Sequence, residues 1–176
     1  MTFLEPQKVL SALEIFHGAR VADLGCGPGE FSLLASPLVG PKGKIYALDI
    51  RSDILSRVES SAREKGFTNI ETLTVDLEKR EGAHLANETC DFVIISNALF
   101  LIQNKEAFLE EAVRILKQGG KMLFIEWSES HGGLGPTPDM VVTPEVAKKL
   151  FSQKELVTLS EIPAGAYHYG YILSKP

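Results

Sequence analysis

The chain has 176 residues, 44% hydrophobic and 23% charged, with a formal net charge of -5 at pH 7. That balance fits one globular domain over 1–176 and excludes a disordered or fibrous chain. An acidic surface with scattered Lys and Arg disfavours a nucleic-acid binder, which needs clustered cations against phosphates. Two cysteines, Cys26 and Cys90, are too few for a disulfide framework or a four-ligand zinc site, so no metal is expected. They read as reduced thiols of a cytoplasmic protein. No run approaches the roughly 18 apolar residues of a membrane span, and the N-terminus lacks the basic and apolar regions of a signal peptide.

In chain order, Val9, Leu10, Leu13 and Phe16 share one face of a first helix. A short apolar strand follows at 20–24, then a glycine-rich turn and a helix start. A second strand lies at 44–48. Ile54, Leu55, Val58 and Ala62 then repeat the helical spacing, and Gly66 is placed to end that helix. Strands are predicted at 70–75 and 91–96. The next amphipathic face comprises Phe108, Leu109, Ala112, Val113 and Leu116, with Gly119-Gly120 breaking the helix before a strand at 121–127. The runs 92–95 and 122–125 are continuously apolar, as central strands covered on both faces should be. A Gly/Pro-rich loop, 131–138, leads to a helix with Thr143 as cap and Pro144 at its first position. Val146, Ala147, Leu150 and Phe151 give it an apolar face. Two final strands, 156–162 and 167–173, leave no room for a helix between them and form an antiparallel hairpin. The alternation of strand and helix defines an α/β protein with a mixed sheet of seven strands.

The chemistry sits at strand ends. Gly25 and Gly27 let the backbone turn sharply and approach a ligand closely, with Cys26 as a small filler between them. The spacing Gly25-x-Gly27-x-Gly29 departs from the dinucleotide pattern G-x-G-x-x-G. Glu30 at the helix start, with Asp23 before the turn, is awkward for a pyrophosphate and suits a phosphate-free ligand with a positive centre. Asp49, at the tip of the second strand and 24 positions after Gly25, is placed to accept from both hydroxyls of a ribose. Asp76 at the third tip can accept from an adenine amino group, while Ile50 and Leu77 sandwich the ring. Ligands of open α/β sheets bind at this edge.

Asp23-Leu24-Gly25-Cys26-Gly27-Pro28-Gly29 resembles motif I of the class I S-adenosylmethionine-dependent methyltransferases. Tyr46-Ala47-Leu48-Asp49 is similar to their acidic second motif, and Asp91-Phe92-Val93-Ile94 to their fourth strand. Residues 114–122 resemble the helix-to-strand "LKPGG" segment, with Gln118 in place of Pro. The resemblance is closest to the small methyltransferase-domain group that includes ubiquinone and menaquinone methyltransferases. It implies a Rossmann-like sheet of order 3-2-1-4-5-7-6 with the last strand antiparallel, S-adenosyl-L-methionine as cofactor, and cofactor contacts from Asp23, Gly25, Cys26, Gly27, Gly29, Asp49, Ile50, Asp76, Leu77 and Asn97. The quinone enzymes are longer and carry extra helices over the acceptor site, so their acceptor does not carry over. Arsenite methylation, which needs several cysteines, does not fit.

The acceptor is expected to be a small molecule, over strands four and five. Asn97 stands there as a ligand to cofactor or acceptor, or as a loop cap. Glu126, Trp127 and Ser128 end strand five, Trp127 being either an acceptor platform or a buried aromatic. The loop 131–138 is a candidate lid. Strand alternation puts Tyr167 and Tyr169 on one face and His168 on the other. His168 is either the candidate base or an ordinary strand histidine, with Tyr167 and Asn97 as the other catalytic candidates, His131 behind them, and His17 and His84 at the surface. Phe3-Leu4 is expected across the cofactor. The competing readings are an NAD-type oxidoreductase, disfavoured by the glycine spacing and Glu30, and a catalytically silent partner subunit. A monomer or homodimer is expected.

Overall fold

The computed structural model describes residues 3–176. Its strands are β1 (Arg20–Leu24), β2 (Lys44–Asp49), β3 (Ile70–Thr74), β4 (Cys90–Ser96), β5 (Leu116–Trp127), β6 (Val157–Ile162) and β7 (His168–Ser174). The helices are α1 (Pro6–Ser11), α2 (Glu30–Val39), α3 (Ser52–Glu64), α4 (Lys105–Ile115) and α5 (Pro144–Gln153). The sheet runs β3-β2-β1-β4-β5-β7-β6. The pairings from β3 through to β5 are parallel, and β7 is antiparallel to both β5 and β6. This is the order and mixed character expected from sequence.

Alternating strand residues serve two cores. Leu24, Val93, Ile95 and Phe124 face α4 and α5 through Phe108, Ala112, Ala147 and Phe151. Val21, Ile45, Ile94 and Leu123 face α1 and α2 through Leu10, Phe31 and Ala35. Both faces of the central strands are thereby covered, which explains their unbroken apolar runs. Because β1 has β2 on one side and β4 on the other, strand order reverses there and a crevice opens at the carboxyl ends.

Four local expectations are corrected. The first helix stops at Ser11, and Phe16 lies beyond it, 52% exposed with its ring 5.5 Å from that of Phe92. Contracted turns (Leu13 N–H to the Leu10 carbonyl) and left-handed Glu14 (φ 55°) unwind the chain there. The fourth helix ends at Ile115 rather than at Gly119-Gly120, because Leu116 already pairs with Cys90 on β4. The Gly-Gly bend lies inside β5, tied by Gly119 N–H to the Lys175 carbonyl and Lys175 N–H to that of Gly120. Val146 faces outward, since only Ala147 and Phe151 of α5 are buried. Tyr167 falls just outside β7. Its ring lies against Phe3 and His131, whereas Tyr169 donates to the Val142 carbonyl and packs on Phe124.

Candidate active site

The glycine turn has a separate physical reason at each position. All three glycines are left-handed, with φ of 69°, 50° and 80° at Gly25, Gly27 and Gly29. A Cβ on Gly25 would stand 2.9 Å from the Ala98 Cβ, and one on Gly29 would stand 2.7 Å from Val58 Cγ2. A Cβ on Gly27 would meet nothing within 4 Å, since it points into the crevice. The turn is braced from β2: Gly25 and Cys26 N–H donate to the Leu48 carbonyl at 2.8 and 3.0 Å. Gly27 N–H donates to Asp49 Oδ2 at 3.0 Å, and Arg51 N–H to Asp49 Oδ1 at 3.0 Å.

Asp23 serves the start of α2. Its Oδ2 accepts from Ser32 N–H at 3.1 Å and Ser32 Oγ–H at 2.6 Å, satisfying a donor that the helix itself leaves unpaired. Burial pushes its carboxyl up to about 6. Burial likewise raises the Cys26 thiol, which favours its neutral form.

A cleft of about 470 Å³ opens beside this turn, a size suited to a small ligand. Asp23, Gly25, Cys26, Gly27, Asp49, Ile50, Asp76, Leu77 and Asn97 all line it. Gly29 does not, because it packs on Val58. Asp76 accepts from Glu78 N–H at 3.1 Å and pairs with Lys79 at 3.1 Å, which holds its carboxyl below the usual range. With Glu30 and Glu78 also on the wall, the described residues lining the cleft carry five carboxylates and one basic side chain, Arg51, so the cleft is acidic. Asn97 has φ 52° and donates its N–H to the Ile125 carbonyl at 2.9 Å. Its Oδ1 is buried without a hydrogen-bond partner.

Some wall residues escaped sequence reading. Glu78 stands two positions beyond Asp76, a proximity that could have flagged it. Leu101, on the single 3-10 turn Leu99–Leu101, and Ile102, just after it, reach the cleft. Glu126 anchors that turn: it is 0% exposed, its Oε2 accepts from Phe100 N–H at 3.2 Å and its Oε1 from Trp127 N–H at 2.9 Å. Burial pushes its carboxyl up to about 7. A lone carboxylate directly after the apolar run 122–125 was the available signal.

Tyr167 and His168 stand apart from the cleft lining. The His168 ring lies 4.3 Å from that of Trp127, and the His131 ring 4.7 Å from that of Tyr167. Leu4 lines the cleft. His17 and His84 are exposed. Cys26 and Cys90 are free and buried.

Sheet order, glycine turn and acidic strand tips together define the class I S-adenosylmethionine-dependent methyltransferases, whose cofactor is S-adenosyl-L-methionine. The chain belongs to the methyltransferase domain family, whose profile matches residues 15–163. It is similar to demethylmenaquinone methyltransferase of Anoxybacillus flavithermus, 26% identical over 120 residues, covering 68% of this chain and 49% of that enzyme. It is also similar to the ubiquinone/menaquinone biosynthesis C-methyltransferase UbiE of Haemophilus ducreyi, 35% identical over 114 residues, covering 64% and 42%. The chain thus spans about half the length of these relatives or less. A methyltransferase from Aquifex aeolicus superposes with a TM-score of 0.86 at 25% identity, covering 97% of this chain and 89% of that one. The cyclase SpnF shares the fold, with a TM-score of 0.82 at 14% identity over 97% and 79% of the two chains.

The residues present fit the cofactor. Gly27 leaves the crevice clear of side chain, and the wall is rich in acceptors facing what would be a cationic ligand. Asp49 uses two of roughly four lone-pair sites on backbone N–H groups, leaving two for hydroxyls.

Proposed function

We propose that this chain, acting as a single domain, transfers the methyl group of S-adenosylmethionine to a small-molecule acceptor. The observation that carries the proposal is the acidic cleft at the switch point, open where Gly27 lacks a side chain. Bound there, the cofactor supplies a methyl group already activated by a sulfonium. Asp49 holds the ribose hydroxyls, Asp76 the adenine amino group, and Ile50 and Leu77 the two faces of the ring. Asn97 lines the same cleft and is assigned a polar contact to the ligand. The protein's main task is to hold the acceptor in line and exclude water. No acceptor is carried over from the demethylmenaquinone methyltransferase, since the match covers 49% of that enzyme. No helix among the described residues is long and apolar enough to cross a membrane. The free buried thiols support a cytoplasmic location.

Calorimetric titration with S-adenosylhomocysteine tests the reading. Micromolar-range binding is expected, with no response to NADH by fluorescence. Absence of binding at millimolar ligand refutes it.

A further inference from the structure

Two imidazoles outside the cleft carry buried nitrogens without hydrogen-bond partners. His131 Nε2 and both ring nitrogens of His168 are buried and make no hydrogen bond. Buried polar atoms are normally paired, because an unpaired one disfavours the folded state. Three such nitrogens in one cluster call for an occupant.

The cluster is assembled from distant parts of the chain. His168 opens β7 and pairs in register with Trp127 at the tip of β5. His131 comes from the 131–138 loop, its ring 6.2 Å from Trp127 and edge-on to Tyr167 at 4.7 Å. The loop is pressed onto the indole so closely that a Cβ on Gly135 would stand 2.5 Å from it. Two links join the cluster to the cleft. Phe3 lies 5.2 Å from the Tyr167 ring while its neighbour Leu4 lines the cleft. Asn97, also with a buried unpartnered atom, is bonded to Ile125 two residues before Trp127.

Burial, and then the nearby His131, hold His168 below the ordinary histidine pKa, so it is neutral at pH 7. A neutral imidazole offers one N–H and one lone pair. A carboxylate can answer only the N–H, and an ammonium only the lone pair. A neutral hydroxyl both accepts and donates. We infer that His131 and His168 form the hydroxyl-binding end of the acceptor site, beneath the 131–138 loop and beside Trp127. This rests on the cofactor reading above. Left-handed Gly132, Gly133 and Gly135, at φ 57°, 99° and 73°, give the loop the freedom to lift and admit the acceptor.

The test uses phenol, benzoate and benzylammonium as probes on protein saturated with S-adenosylhomocysteine at pH 7, read by the imidazole nitrogen NMR signals. Phenol is expected to shift the His131 and His168 signals, and the two charged probes are not. Silence towards phenol, or a shift with benzoate or benzylammonium alone, overturns the assignment. His131→Phe and His168→Phe are expected to melt at or above the wild-type temperature, to lose the phenol response at the remaining imidazole, and to bind S-adenosylhomocysteine within about twofold of wild type, since neither residue lines the cleft. Melting lower by more than about 5 °C with the phenol response intact shows a structural pair and overturns it. Failure of the wild type to bind S-adenosylhomocysteine refutes the cofactor reading instead, so the two failures are distinct.

Discussion

Replacing Asp49 with Asn separates two jobs of one carboxylate. Its oxygens accept from Gly27 N–H and Arg51 N–H, each at 3.0 Å, and its remaining lone pairs are proposed to take the ribose hydroxyls. Asn keeps one accepting oxygen and turns an NH2 toward the other contacts. One backbone N–H then loses its partner, at a cost of about 1–2 kcal/mol of stability. In the complex one hydroxyl also loses its acceptor and the other its charged one. About 1.5–3 kcal/mol of binding should go, or roughly 10- to 150-fold in Kd for S-adenosylhomocysteine. Calorimetry on wild type and variant, with S-adenosylhomocysteine and its 2′,3′-dideoxy analogue, forms a cycle that isolates the hydroxyl contact. If Asn weakens both ligands equally, the carboxylate acts only by bracing the glycine turn, and the ribose assignment is wrong.

The turn glycines should respond differently to Ala. Gly25→Ala drives a Cβ against Ala98 and should lower the melting temperature, whereas Gly27→Ala should cost only about 1–2 kcal/mol for its left-handed backbone yet weaken S-adenosylhomocysteine at least tenfold; unchanged affinity in Gly27→Ala would clear the crevice of ligand. For Glu126 the folded pKa, about 7, lies above its ordinary 4.5. Its stability contribution is therefore complete below about pH 4.5 and lost as pH rises through 7, a swing of about 3 kcal/mol. Denaturant unfolding of Glu126→Gln should remove that swing relative to wild type, and parallel pH curves would show that Glu126 does not titrate as stated. Arg114 holds Glu111 through two bonds of 2.9 and 2.8 Å, with Glu111 only 4% exposed. Arg114→Met strands that carboxylate and should cost about 3 kcal/mol in the same assay; a loss below 1 kcal/mol would mean that the Glu81 and Ala83 N–H bonds suffice.

The glycine turn and the acidic strand tips were legible in the sequence because their constraints are local. Gly25 and Gly27 announce a turn that side chains would block, and Asp49 and Asp76 stand at strand tips that periodicity locates. Strand order was legible through the family resemblance and the closing hairpin. What stayed hidden depends on contacts between distant segments. Gly29 is needed because Val58 presses on it from α3. Glu126 looked like a strand end until the Leu99–Leu101 turn was seen to donate to it. The end of α4 was misjudged because pairing between Leu116 and Cys90 outweighs a helical pattern that continues into Leu116. His131 and His168 stand 37 positions apart in the chain, and only the packing of loop, β5 and β7 brings them to one indole.

Among the described residues, the cleft is walled entirely by the segment from Leu4 to Phe108. The last third of the chain supports that wall from behind, through Glu126 and the Ile125 carbonyl. On the proposed placement of the acceptor, grip and selectivity lie in different stretches of polypeptide. Exchanging the 131–138 loop for one of another shape should retune which molecule is methylated while the nucleoside is held as before, and substitutions in the two stretches should combine additively wherever they share no neighbour.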